Sequence, residues 1–487
     1  MKSSEPCNLK KRLLVPISIS FSIRYIIRTG LLERLREFCE PIIAFTWNDD
    51  ILNDELKALG YEVHIIPPPV RQPAYNDARR KIDFWFNEFQ LKSPSTKIQK
   101  RYLRHILPED HTLLAESRRI YNYFKSFIPG NTKKLFDTEQ TLLLSHTNLK
   151  KIQTWLNQLH VDAVFTVTPF HRQEDLLLRA AKLNGKKMYT AILSFDNLTK
   201  RGWIPVEYDA YMLWNNKNCN ELKRIYPHTK NKHITITGAP QFDFYFDKKY
   251  VYEKDEWKTL CGLPLDDRRI ILYSGGPQVL FPQEPQYLKH LLEAIDEGKI
   301  KNDPIILFRC HPIDHIDRWK NAVGPNPHLF YEESWTGRED IHQANITLKD
   351  IKKLCSTLAY TDVHINVCST MTIDGSAFGK PQIWPAYIDE DPVGTKLLQE
   401  MYRQEHFLSI LQLTGDSLCC SKEAYIHKVQ HTLNNLFEKK SISEDLLKSV
   451  ITFTDGQSME RVAMVLQNEM SQHPNDIQTD GGKNIFH

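Results

Sequence analysis

At 487 residues the chain is too long for one hydrophobic core, and an apolar share of 41% with 25% charged residues marks a globular protein of two or three domains. Its 63 Lys and Arg against 60 Asp and Glu leave a net charge of +3, which excludes a nucleic-acid-coating protein and leaves room only for local basic patches. Nine cysteines, an odd count with no C-x-x-C pair, point to free thiols in a reducing compartment and away from thiolate metal sites.

Lys10-Lys11-Arg12 before LLVPISISFSI has the outline of a secretory leader. Arg24 interrupts soon after, no small-residue cleavage site follows, and the run is too short to span a bilayer. It reads instead as a first strand, 13–20, of a cytoplasmic chain whose membrane contact, if any, is peripheral. Apolar residues at 26, 27, 31, 32, 35 and 38 predict a helix over 24–38. A strand at 41–47, a helix at 51–60 and a strand at 61–67 follow, and this alternation predicts a parallel sheet.

Residues 70–160 break the rhythm. KIDFWFNEFQ and KIQKRYLRHIL mix aromatics with basics, which predicts a helical insertion in the first domain. Its surface suits solvent, an acceptor groove or anionic lipid heads. The α/β alternation resumes with a strand at 162–167, a helix at 173–185 and a strand at 187–193, and strands at 208–214 and 233–238 continue the sheet. His171, Glu174 and Asp175 fall between a strand and its helix, and Asp196 just after the next strand, at the edge where open α/β sheets bind ligands. All four are candidate general bases for a hydroxyl acceptor. Glu174 and Asp175 equally fit first-turn acids favoured by the helix dipole, and Asp196-Asn197 an Asx turn.

The domain junction is placed after GAPQFDFY (238–245). A helix-like run at 248–260 precedes RIILYSGG, a strand ending in Ser274, Gly275 and Gly276, where missing side chains allow close approach. PIILFRCHP ends in Arg309 and His311. A strand at 328–332 and a helix at 347–360 lead to the stretch DVHINVCSTMTIDGSAFGKPQI (362–383). It predicts a buried strand, a Cys368-Ser369-Thr370 turn and a helix from about Thr370, a seat for a phosphate at a capped helix start or simply an ordinary N-cap. Helices are expected near 393–403, 421–438 and 456–469, and a disordered tail at 471–487. The expected organisation is thus two α/β domains, 1–245 with its insertion at about 70–160, and 246–470.

Three strand ends of the second domain, Ser274–Gly276, Arg309 with His311, and Ser369-Thr370 with Thr372, together supply N–H groups, hydroxyls and a cation or imidazole, the kit for a diphosphate. The acidic triplet at 389–391 has no second ligand cluster, so no metal is expected. A Walker P-loop, a dinucleotide fingerprint and a G-x-S-x-G elbow are all missing from the sequence.

RCHP after one strand and STMTIDGSAFGKP after a later one resemble the HP and S-S/T motifs of bacterial sialyl- and polysialyltransferases and of CDP-glycerol glycerophosphotransferases, which are GT-B fold transferases. SFDNLTKRG, GAPQFDFY and RCHPID also look like surface-polysaccharide proteins of that fold. The resemblance covers most of 13–470 in architecture and only short motifs in residue detail. It implies two Rossmann-like domains facing each other across a cleft, a nucleotide-activated donor as substrate with no cofactor, and a carbohydrate or lipid-linked acceptor. His311, Ser369 and Thr370 would contact the donor's phosphates without a metal. The D/E-D/E-G motif that carries the sialyltransferases' base is absent from the first half, which weighs against a CMP-sialic-acid donor. UDP-N-acetylglucosamine 2-epimerases share the fold, so an epimerase or hydrolase is the alternative, with an inactive scaffold as the third reading.

Overall fold

Runs such as LLVPI and IILYS are apolar at successive positions because a parallel sheet in an α/β unit is covered by helices on both faces. In the computed structural model, which describes residues 10–68, 70, 72–108, 113–335, 345–367, 369–436 and 440–471, these runs become the strands of two all-parallel sheets. The first sheet comprises β1 (Arg12–Ile17), β2 (Glu40–Phe45), β3 (Glu62–Ile65), β4 (Ala163–Thr166), β5 (Lys187–Ala191), β6 (Ala210–Leu213) and β7 (His233–Ile236), in the order β3-β2-β1-β4-β5-β6-β7. The second comprises β8 (Ile270–Ser274), β9 (Ile305–Arg309), β10 (Leu329–Glu332), β11 (Val363–Asn366), β12 (Gln382–Pro385) and β13 (Leu418–Cys419), in the order β10-β9-β8-β11-β12-β13. Six strands of each sheet therefore repeat one doubly wound order, whose direction reverses at β1/β4 and again at β8/β11.

Strand alternation sends Leu14, Ile42 and Val164 to one face of the first sheet and Leu13, Val15, Ile43 and Phe165 to the other, each face with its own core. The second of those cores is completed by Val462, Leu466 and Met470 of the helix Ser458–Ser471. In the second sheet Ile270, Ile305 and Leu307 pack with Trp257 of the helix Lys254–Leu260.

The chain divides into two compact units, one of Met1–Lys92, Ser117–Gln241 and Gln457–His487, the other of Ser93–Glu116 and Phe242–Gly456. The split differs from the sequence-based one at the junction, which falls between Gln241 and Phe242 rather than after Tyr245, and in two further places. The helix expected at 456–469 belongs to the first unit, where Arg34 Nε reaches Glu460 at 3.0 Å and its neighbours complete the core. The helix Pro94–Ile106, expected within the first domain's insertion, belongs to the second unit. There Arg101 pairs with Glu400 at 2.9 Å, His105 with Asp391 at 2.7 Å, and the Gln283 amide donates to the Tyr102 hydroxyl at 3.0 Å.

Smaller differences have local causes. The helix expected at 24–38 is broken: Gly30 takes φ 85° between a π turn (Arg24–Arg28) and the helix Leu31–Leu35. The 248–260 run is a 3₁₀ turn (Lys248–Tyr250) followed by the helix Lys254–Leu260. Helices at Asn216–Ile225, Ile316–Val323, Leu408–Thr414 and Lys440–Ile451 were not anticipated from sequence, nor was the two-residue strand β13. Cys368 and all of the expected tail beyond Ser471 lie outside the described residues. Among those described, Cys39, Cys261, Cys310, Cys355 and Cys419 are buried free thiols, and no helix is long and apolar enough to cross a membrane.

Candidate functional site

The three strand ends singled out in the second domain are neighbours. Ser274 pairs with Arg309 of β9 on one side and with Asn366 of β11 on the other, so the chain segments that follow leave the sheet side by side, about 4.8 Å apart per strand. The edge they share is the switch point β8/β11, flanked by β9. In open α/β sheets this is where the first helices diverge to opposite faces and open a crevice.

His311 is the best-positioned group on this edge. Asp314 N–H donates to His311 O at 2.9 Å and closes a turn, and the Asp314 carboxylate holds Arg318 and accepts from Trp319 Nε1 at 2.8 Å. Ile313 N–H donates to His311 Nδ1 at 3.2 Å. An Nδ1 that accepts must be unprotonated, so the neutral ring carries its proton on Nε2. Among the described residues Nε2 has no partner. Burial pushes the pKa of His311 down to about 4, with Asp314 opposing only in part. The side chain is thus a neutral N–H donor at pH 7.

Ser369 Oγ accepts from Met371 N–H at 3.2 Å and so caps the short helix Met371–Ser376, while its own hydroxyl proton stays available. The cap had been expected to involve Thr370 as well; Thr370 instead sits in helical conformation with no capping bond and an exposed side chain. Gly375 of this helix is tightly enclosed, since a Cβ there would stand 2.3 Å from His364 Nδ1 and 2.4 Å from Gln382 Nε2.

The remaining sequence candidates in this domain have partners of their own. Gly275 N–H is taken by Arg309 O at 3.0 Å and Gly276 N–H by Glu284 Oε2 at 2.8 Å. A Cβ on Gly275 would meet Trp319 at 2.9 Å and one on Gly276 would meet Val367 at 2.7 Å, so these glycines answer to the protein's own packing rather than to a ligand's approach. Arg309 is buried, paired with Glu332 at 2.9 Å and donating to Ser334 O at 2.8 Å. Thr372 is fully buried, donating to Asn366 Oδ1 at 2.9 Å and accepting from Trp384 Nε1 at 3.1 Å. Two acids of the 389–391 triplet have structural duties, Asp391 capping the helix Pro392–Met401 through Gly394 N–H at 2.8 Å and Asp389 meeting His290 at 3.2 Å.

Sequence reasoning missed Glu284. It is fully buried beneath the glycine turn, and burial pushes its carboxyl up to about 8 against the lowering effect of the Gly276 N–H. A Glu just ahead of a helix reads from sequence as a first-turn acid, and nothing local to it betrays the turn it supports.

In the first unit the four candidate bases separate. Glu174 lies sealed at the β1/β4 switch point, accepting from Ser18, Thr166 and Thr168 hydroxyls at 2.6 Å each, and burial pushes it up to about 7. Asp175 accepts from Tyr75 Oη at 2.6 Å and pairs with Arg79 at 3.2 Å and Arg179 at 3.4 Å. Arg179 also reaches Glu139 at 2.7 Å, and both guanidiniums lie over the Trp203 ring. These arginines more than offset desolvation and hold the Asp175 carboxyl below its usual range. Both acids are buried with partners of their own, Glu174 tying two strands and Asp175 fastening the helical insertion, which leaves His171 and Asp196 as the more open of the four expected bases. His171 is half-buried in the turn after β4, its N–H bonded to Thr168 O at 2.9 Å. Asp196 follows the adjacent strand β5, accepting from Ser194 Oγ at 2.6 Å with Lys200 at 4.0 Å.

No family model matches the chain. A 184-residue stretch is 24% identical to the teichoic acid ribitol-phosphate polymerase TarL of Staphylococcus aureus, covering 36% of this chain and 28% of that protein, well under a third of its length. Among solved structures, the S. aureus MnaA–UDP complex superposes with a TM-score of 0.52 at 10% identity, over 97% of this chain and 100% of the other. A UDP-N-acetylglucosamine 2-epimerase assigned to Listeria monocytogenes gives 0.52 at 11% identity with the same coverage. At these identities the structural likenesses speak for the fold alone, which is of the GT-B type, with two Rossmann-like parallel-sheet units.

Proposed function

We propose that the chain is a transferase that takes a sugar or polyol-phosphate group from a nucleotide-activated donor to a surface polysaccharide or glycolipid acceptor. The polyol-phosphate branch is favoured by the similarity to a ribitol-phosphate polymerase. The observation that supports the reading is the β9-β8-β11 edge, with His311 following β9 and Ser369 following β11 on either side of β8, and with no partner for His311 Nε2 among the described residues.

In such a transfer an acceptor hydroxyl forms the new bond, the bond to the nucleotide's phosphate breaks, and its electron pair stays on that phosphate. His311 Nε2–H would donate to the phosphate oxygens as charge grows on them, a bond that strengthens toward the transition state. Thr370 and Ser369 hydroxyls and Ser274 would orient the phosphates, while Arg309, Gly275, Gly276 and Thr372 keep the strand ends in place. The acceptor proton would pass to His171 or Asp196.

The test is nucleotide binding followed by product analysis. Wild type, His311→Ala and His311→Gln are titrated with CDP, CMP, UDP, GDP and dTDP, reading the thermal midpoint. A ligand at a hundredfold its dissociation constant stabilises by about 2.7 kcal/mol, a shift of a few degrees. One nucleotide should raise the midpoint of wild type, at least tenfold more ligand should be needed for the Ala variant (about 1.4 kcal/mol), and Gln should recover part of the loss, since its amide can replace the Nε2–H. An Ala variant with undiminished affinity and turnover would end the assignment. A 2-epimerase is the alternative on the same fold, and conversion of a nucleotide sugar with no acceptor present would establish it instead.

A further inference from the structure

Beyond the nucleotide edge, we propose that residues 117–134 of the first unit dock this protein onto the face of an anionic lipid bilayer. The stretch covers the end of the helix Leu113–Ser126, the turn after it and the start of the helix Asn131–Leu144. Its large apolar side chains face solvent: Tyr121 is 64% exposed, Phe124 66%, Phe127 61% and Ile128 55%, flanked by Ile120 and Tyr123. Apolar surface gathered in one place on a soluble unit marks a contact, not ordinary scatter.

The patch is also built, not loose. Phe89 stacks on Tyr123 with ring centroids 5.3 Å apart, and Phe127 meets Tyr123 at 5.2 Å and Phe89 at 5.4 Å, edge to face. Aromatic rings fixed in this way present area without an ordering cost on binding.

Charge identifies the occupant. Residues 117–134 contain Arg118, Arg119, Lys125, Lys133 and Lys134 and not one Asp or Glu. The Lys125 ammonium lies 5.7 Å from the Tyr121 ring, Lys134 is exposed, Lys133 leans on Asp137 at 2.7 Å, and Arg119 is 4.0 Å from Glu88. A second copy of this chain would bring the same positive face against it, which opposes self-association. A solvated polyanion would use the cations but leave Phe124, Phe127 and Ile128 in water. An anionic bilayer uses both: the rings enter the headgroup boundary and the lysines extend to the phosphates.

The experiment is flotation of the full chain with vesicles of phosphatidylcholine, with and without phosphatidylglycerol, at low and high salt. Wild type should float with the anionic vesicles at low salt, and high salt should weaken that binding by shortening the Debye length. Phe124→Ser with Phe127→Ser, and separately Lys125→Glu with Lys134→Glu, should each cut the partition coefficient at least tenfold while the melting midpoint and nucleotide binding stay as in wild type. The charge pair serves as the second reading should the aromatic pair prove poorly folded. Wild type that does not float, variants that float undiminished, or a soluble dimer dissolved by the aromatic pair would each overturn the proposal.

Discussion

A carboxyl buried beneath a glycine turn makes a pH-dependent support. Glu284 is held up at about 8 by burial, so folding favours its neutral form. Its share of stability is complete below the unfolded value of about 4.5 and is lost as pH rises toward 8, because the unfolded chain ionises first. Glu284→Gln cannot ionise and keeps an oxygen for the Gly276 N–H. The thermal midpoint of the second unit should therefore fall less in the variant than in wild type between about pH 4.5 and pH 8. Parallel curves would show that the carboxyl is paired more strongly than its surroundings indicate. Glu174 imposes the same sign of dependence on the first unit, ending near 7. His311 acts in the opposite sense: its depressed value means a penalty that develops as pH falls from about 6.5 toward 4.

At the scale of elements, the helical insertion is fastened by charge. Arg79 from the helix Pro73–Trp85, Glu139 from Asn131–Leu144, and Asp175 with Arg179 from Asp175–Leu183 form a buried, balanced quartet roofed by Trp203. Removing one charge leaves the others uncompensated, at a cost of about 3–5 kcal/mol. Asp175→Asn should lower the first unit's thermal midpoint and open residues 73–92 to limited proteolysis. A variant of unchanged stability that loses only turnover would return Asp175 to the list of bases. The strands were legible in sequence because buried parallel strands are uninterrupted apolar runs, and the order of motifs along them already placed Ser274, Arg309 and Ser369 at strand ends. What could not be read was pairing across distance. Asp175 looks like a first-turn acid until Arg79 is known to face it, and the Pro94–Ile106 helix looks like part of the insertion until Glu400 and Asp391 supply its partners. His311 was found as half of an H-P dipeptide, but its tautomer depends on the Ile313 amide, which only geometry reveals.

Over the whole molecule, each unit is assembled from pieces distant in sequence. The helix Ser458–Ser471 supplies Val462, Ala463 and Leu466 to the core on one face of the first sheet, all fully buried. A chain shortened after Gly456 would expose that face. Two thermal transitions are expected from two units, and in the shortened chain the one belonging to the first sheet should drop by many degrees while the other holds. Equal loss in both would mean the units melt as one.

That interleaving also sets a schedule for synthesis. Strands β1 to β7 leave the ribosome first, yet the part of the first sheet's core beside the helix Leu31–Leu35 and β6 lacks its last helix until more than two hundred further residues have been made. The second unit, enclosed within the sequence of the first, has its whole sequence available before that happens. Translation at ~5–20 residues per second leaves the open face waiting for tens of seconds. The earliest-made half of this protein is thus the last to be finished.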